Sequence, residues 1–136
     1  MDEKLKQYLE EMLDKGMPRE LGIHFVVLEE GHVRAEMPIA DKHTNVYGMV
    51  HGGALYTLAD TTTGFAARTY GGRVVTLNGS MNYLTGSPNT TKIYCDGRVV
   101  RHGRKTIVVS AEVYDEFGTL MANGSYTLYV LGEDQS

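Results

Sequence analysis

Between Asn45 and Asp60 the chain sets His51-Gly52-Gly53 where a helix should begin and places a single carboxylate, Asp60, two turns into an otherwise apolar helical stretch. Asn45-Val46-Tyr47-Gly48-Met49-Val50 is turn-forming, whereas Ala54-Leu55-Tyr56-Thr57-Leu58-Ala59 is rich in good helix formers, so the helix is expected to start near Gly52 or Gly53. The first backbone N–H groups of such a helix have no partners within it. They can point at an oxygen that gains negative charge, with the helix dipole in the favourable sense. A carboxylate beside Leu58, Ala59, Phe65, Ala66 and Ala67 has little polar surface around it and needs a partner or a task. Singly, each residue has a plainer use: Asp60 as a surface acid, His51 as a cap, Gly52-Gly53 and Asn45 as turn residues. Together they point to a reaction site.

Helix geometry limits how these residues can cooperate. Eight residues separate Gly52 from Asp60, which at the helical rise is roughly 12 Å along one axis. A donor that holds a carbonyl oxygen and a carboxylate that attacks or activates water at that carbonyl must both sit within a few ångströms of the reacting atom. Either the two do not share a site, or Gly52 of one chain faces Asp60 of another across a two-fold axis, giving two equivalent sites per dimer. The second option uses every unusual residue, and an obligate homodimer is expected.

The elements that must position the site follow from periodicity. Leu5, Tyr8, Leu9, Met12 and Leu13 recur at helical spacing and predict a short amphipathic helix over 3–13, extending at most to about 15 and stopped by Gly16 and Pro18. A first hairpin is expected from Leu21–Leu28 and Val33–Ile39 around Glu30-Gly31, followed by a loop over 41–50 and the long helix to Arg68, ended by Gly71-Gly72. Four strands then follow, Arg73–Leu84, Thr90–Arg101, Arg104–Tyr114 and Thr119–Leu131, before a polar tail over 132–136. Ile107, Val109, Ala111 and Val113 alternate with polar neighbours, as in an antiparallel sheet with one buried face. One nearly all-apolar helix ahead of four strands implies an α+β domain, residues 1–136, whose sheet curls around that helix.

Composition bounds the class. With 136 residues, 42% hydrophobic and 22% charged, the chain fits one domain, and no apolar run reaches the roughly 18 residues of a membrane span. The mixed-charge start Met1-Asp2-Glu3-Lys4 does not resemble a secretory signal, and Cys95 as the only cysteine suits a reducing cytoplasm. A net charge of −4 speaks against general nucleic-acid binding. His24, His32, His43, His51 and His102 show no metal-ligand spacing, so no metal and no cofactor is expected. Lys92, Arg98, Arg101, Arg104 and Lys105 nevertheless cluster, either as solvated strand edges or as a site for a small polyanion such as a nucleotide phosphate.

Asn45, His51-Gly52-Gly53 and Asp60 in Leu58-Ala59-Asp60-Thr61, with Val100-Arg101-His102-Gly103-Arg104-Lys105 and Gly118-Thr119-Leu120-Met121-Ala122-Asn123-Gly124-Ser125 further on, resemble the hotdog-fold acyl-CoA thioesterases of the phenylacetic-acid-pathway (PaaI) type. The resemblance spans about Leu21 to Leu131. It implies a curved antiparallel β-sheet wrapped around one long central helix, paired into dimers and usually dimers of dimers. It also implies that Gly52 supplies the N–H that polarises the thioester carbonyl, that Asp60 of the partner chain acts as nucleophile or general base, that His51 shapes the helix start, and that Asn45 helps place the thioester or water. Gly53 is expected beside the substrate. A hydroxyl or amide on strand 73–84 would help orient the water; alternation puts Thr76, Asn78 and Ser80 on one face, and Asn78 or Ser80 is expected to serve. Arg101, Arg104 and Lys105 would hold the coenzyme A phosphates.

Two other readings are open. A hotdog-type acyl dehydratase or hydratase would use His51 with Asp60 as an acid–base pair, and a non-catalytic acyl-CoA-binding protein would leave Asp60 without a task. The acyl group itself is not legible. Tyr47, Met49, Tyr56, Phe65 and Met81 could line a tunnel for an aryl or a short or medium chain.

Overall fold

The computed structural model describes residues 1–133; the last three residues of the polar tail lie outside them. The chain opens with helix α1 (Glu3–Leu13), whose N-cap Asp2 accepts from the Leu5 N–H at 2.8 Å and whose Leu9 and Leu13 are buried. The expected break at Gly16 and Pro18 is instead the start of a second short helix, α2 (Gly16–Leu21). Proline is tolerated there because the N–H it lacks would have no partner in the first turn. Gly22, at φ 80°, ends α2, so the first strand begins at His24 rather than Leu21.

Strands β1 (His24–Glu29) and β2 (His32–Pro38) form the first hairpin, and a single 3₁₀ turn (Asp41–His43) leads into α3 (Gly52–Arg68). The remaining strands are β3 (Gly72–Tyr83), β4 (Lys92–His102), β5 (Thr106–Asp115) and β6 (Leu120–Glu133), the last running into the segment expected to be tail. All pairings are antiparallel in one six-stranded sheet of order β1-β2-β4-β5-β6-β3, which leaves β3 at an edge.

The sheet wraps α3, as the apolar helix demanded. Leu55, Leu58, Ala59, Thr62, Thr63, Ala66 and Ala67 of α3 are buried against Ile107, Val109, Ala111 and Val113 of β5 and the inward residues of the neighbouring strands. Gly97 on β4 permits close approach of the helix, since a Cβ there would lie 3.2 Å from Thr62 Cγ2. The Thr62 and Thr63 hydroxyls turn back to the Leu58 and Ala59 carbonyls and so are buried at little cost.

One irregularity decides the chemistry of the edge strand. Thr76 pairs with Leu128 and Asn78 with Thr127, so β3 carries a bulge at Leu77. Residues paired across strands share a face. Thr76 therefore lies with buried Leu128 on the helix side, while Asn78 and Ser80, opposite Thr127 and Ser125, lie on the outer face. The expectation that Thr76, Asn78 and Ser80 share one face is corrected: an extra residue reverses the alternation beyond it.

Candidate active site

The loop ahead of α3 is organised by two side chains. Asn45 Oδ1 accepts from the Tyr47 N–H at 2.9 Å and the Met49 N–H at 3.1 Å, and Thr44 bridges to Val50, so the loop is cinched at its neck. His51 is the N-cap of α3, its Nδ1 accepting from the Gly53 N–H at 2.8 Å. An accepting Nδ1 is unprotonated, which commits that nitrogen to the backbone. Gly53 must lack a Cβ because one would stand 2.9 Å from His51 Nδ1.

This arrangement separates the paired glycines by role. The Gly53 N–H is taken by His51, so if Gly53 stands beside the substrate, as expected, it does so without a backbone donor. Among the described residues nothing accepts from the Gly52 N–H, which opens the helix with the positive end of the dipole behind it. The Tyr83 ring lies beside it, with Cε1 and Cζ 3.6 Å from where a Gly52 Cβ would be. Burial, with Tyr56 nearby, pushes the phenols of both Tyr83 and Tyr126 above the usual range, so both remain neutral. Asn45 is likewise engaged: its oxygen shapes the loop.

Asp60 is partly buried on α3 and accepts a hydrogen bond at Oδ1 from the Thr76 hydroxyl at 2.7 Å. Among the described residues Oδ2 is open. The pair sits in a cleft of about 270 Å³ between α3, at Asp60, Gly64 and Phe65, and β3, at Val74 and Thr76, with Pro18 of α2 at its edge. Further along β3, Gly79 leaves room for two packed rings, a Cβ at that position meeting the Tyr56 hydroxyl and, at 2.6 Å, the Tyr126 ring. The residue that partners Asp60 is thus Thr76, not Asn78 or Ser80. The sequence carries no signal of this, since Leu77 alternates regularly between Thr76 and Asn78 and shows itself as the bulge only in the structure, where it stands 63% exposed.

The other expected residues are dispersed. Ser80 lines a shallow outer groove with Asn82, Ser110 and Glu112, away from Asp60, and Asn78 is exposed on the same outer face. Arg101, Arg104 and Lys105 are exposed around the β4–β5 turn, and none lines the Asp60 cleft. Arg104 borders a second cavity, of about 560 Å³, at the C-terminal end of α3. Of the tunnel candidates Phe65 lines the Asp60 cleft, Tyr56 packs edge-on against Tyr126, and Tyr47 is 79% exposed at the loop tip.

The family model of the thioesterase superfamily matches residues 47–122, a span that holds Gly52, Asp60 and Thr76. The chain belongs to the thioesterase superfamily. Its hotdog architecture is shared with the Escherichia coli PaaI protein of the phenylacetic acid degradation operon, at TM-score 0.89 and 22% identity over 96% of this chain and 95% of that one. The protein smu.793 of Streptococcus mutans UA159, solved bound to acetyl CoA, is 34% identical over 83% of this chain and 91% of its own, with TM-score 0.79. Acyl-coenzyme A thioesterase 13 of Homo sapiens is 26% identical over 135 residues, covering 96% of each chain. The hotdog thioesterase family thus supplies an activity class, thioester hydrolysis, that the helix-end donor and the held carboxylate are suited to perform.

Proposed function

We propose that this thioester hydrolase acts on acyl-CoA in a homodimer whose two sites each combine Gly52 of one chain with Asp60 and Thr76 of the other. The observation that carries the reading is the Asp60 carboxylate held at one oxygen by Thr76 and open at the other, within reach of a cleft, on a helix whose far end bears an uncommitted N–H. The free Oδ2 either attacks the thioester carbonyl carbon or takes a proton from the water that does. The carbonyl oxygen becomes an oxyanion and accepts from the Gly52 N–H. Collapse of the tetrahedral intermediate breaks the C–S bond and coenzyme A departs as the thiolate; where water attacked, the free acid is left, and where Asp60 attacked, water then cleaves the acyl–aspartyl anhydride to the free acid and restores the carboxylate.

Two features support the second chain. Gly52 and Asp60 lie on one unbroken helix, which keeps them roughly 12 Å apart within a protomer. The face of α3 turned from its own sheet carries Gly53, Thr57, Thr61 and Gly64, small residues over which another helix can approach closely. Edge strand β3 adds unpaired backbone groups and exposed Val75 and Leu77 beside that face. A dimer of dimers, with Arg101, Arg104 and Lys105 on the coenzyme A phosphates, completes the proposal.

The dehydratase reading is less well supported, because His51 Nδ1 accepts from the Gly53 N–H and is committed to the helix cap. Continuous detection of released thiol against an acyl-CoA series tests the proposal. Turnover by the wild type and its loss by orders of magnitude in Asp60→Asn is expected; near-normal turnover by that variant would overturn it.

A further inference from the structure

Val74 stands between two cavities. It pairs with Val130 two residues before the Thr76–Leu128 pair, so it shares the helix-side face with Thr76, and it packs partly buried against the core. On one side it closes the Asp60 cleft of about 270 Å³. On the other it is a wall of the cavity of about 560 Å³ at the C-terminal end of α3, whose remaining apolar lining comes from Ala67, Ile107 and Val130 and which the stacked Tyr70 and His102 rings, 3.8 Å apart, also line. From Thr76 to Gly72, which also lines the second cavity, the strand advances roughly 13 Å. The two spaces therefore lie in line along the inner side of β3, divided at this one position.

We propose that Val74 sets the length of the acyl group that the enzyme accepts. The inference rests on the reading of Asp60 as the carboxylate that acts on the thioester. With the carbonyl at Asp60 Oδ2, an acyl chain has Phe65 and, one turn on, the Arg68 side chain on the helix side and Thr76 and Val74 on the strand side, and its distal end meets the Val74 side chain. Short groups fit before that wall. Longer ones need the space beyond it, where Ala67, Ile107 and Val130 with Val74 give a chain that passed the wall apolar surface to bury against. A hydrophobic pocket discriminates about 10- to 200-fold per methylene that it cannot accommodate. A single branched residue at the dividing point can therefore define the cut-off.

The test compares Val74→Ala and Val74→Leu with the wild type on saturated straight-chain acyl-CoA substrates from butanoyl to dodecanoyl, reading kcat/KM for each. Val74→Ala should raise the ratio of dodecanoyl to butanoyl turnover by about tenfold or more, and Val74→Leu should lower the longest accepted chain. Both proteins should elute at the wild-type size with a wild-type circular dichroism spectrum. In parallel, the corresponding free carboxylic acids are titrated calorimetrically into the same three proteins, which reads the wall without turnover. Should the wild type release coenzyme A from no substrate, the assignment of the reaction fails while the acid series still reports on Val74. Chain-length profiles that coincide for all three proteins in both measurements would overturn the role of Val74.

Discussion

The Thr76 hydroxyl donates to Asp60 Oδ1 at 2.7 Å, joining the edge strand to the middle of the central helix across the cleft where the reaction is placed. The bond fixes which carboxylate oxygen is free and the direction it faces. A neutral hydroxyl can do this without adding charge.

Thr76 is accordingly a positioning residue. Thr76→Ala should lower kcat by about 10- to 100-fold with KM nearly unchanged, because a carboxylate left to rotate loses its attack geometry rather than its pocket. Thr76→Ser keeps the hydroxyl and should recover most of the rate. Equal losses in the two variants would mean that the methyl group, not the hydrogen bond, is what matters.

Shared sites make a prediction about mixtures. Gly52→Pro removes the N–H and adds a ring whose Cβ would meet Tyr83 at an ordinary 3.6 Å contact, at a first helical position where proline is accommodated, and His51, at φ −64° and ψ 136°, already has the backbone that a following proline requires. Gly52→Pro and Asp60→Asn should each be nearly inactive. Unfolded and refolded together, they should regain roughly a quarter of wild-type activity, since half the dimers are mixed and each mixed dimer has one intact site. No recovery in verified mixed dimers would show that both residues act within one chain.

Gly53→Ala should damage the helix start without touching a substrate group. A Cβ would stand 2.9 Å from His51 Nδ1, displacing the cap and its bond to the Gly53 N–H. A loss of about 1 kcal/mol in stability is expected from denaturant titration. His51→Asn, another good N-cap, should retain the stability that His51→Ala loses.

On the outer face, Asp96 is 6% exposed and accepts from Arg34 Nε and Nη2 at 3.0 and 2.9 Å and lies 2.7 Å from His32 Nε2. Burial pushes its carboxyl up, but the bonds from Arg34 and His32 outweigh this and hold it below the usual carboxylate range. A depressed value in the folded state means that the stabilisation is complete above the unfolded value near pH 4 and is lost as pH falls through the lower folded value. Urea titrations should show Asp96→Asn less stable than the wild type by about 1–3 kcal/mol at pH 7, the gap closing towards pH 3. A pH-independent gap would assign the effect to packing.

Cys95 is fully buried, and burial pushes its thiol up to about 12. Ellman's reagent should find no reactive thiol in the native protein and one per chain after unfolding. Rapid native labelling would place Cys95 in an opening region of the sheet.

The long helix, the four later strands and the alternation of Ile107, Val109, Ala111 and Val113 were legible because each is a local rule: an apolar period, a turn, a cap. The separation of Gly52 from Asp60 along one helix was legible for the same reason, since rise per residue converts spacing into distance. The short helix α2 was missed because Pro18 reads as a stop unless its place in the first turn is known. Alternation put Thr76, Asn78 and Ser80 on one face and could not separate them, because it has no memory of an inserted residue.

The sequence by itself therefore determined the class of chemistry, the helix that carries it and the separation of donor from carboxylate, all of which depend on residues close in the chain. Only the tertiary structure decided which hydroxyl holds Asp60 and which glycine retains a free N–H. Those outcomes turn on a bulge at Leu77, whose register is set by pairing with β6, and on the His51 ring, whose rotamer is set by the space above Gly53.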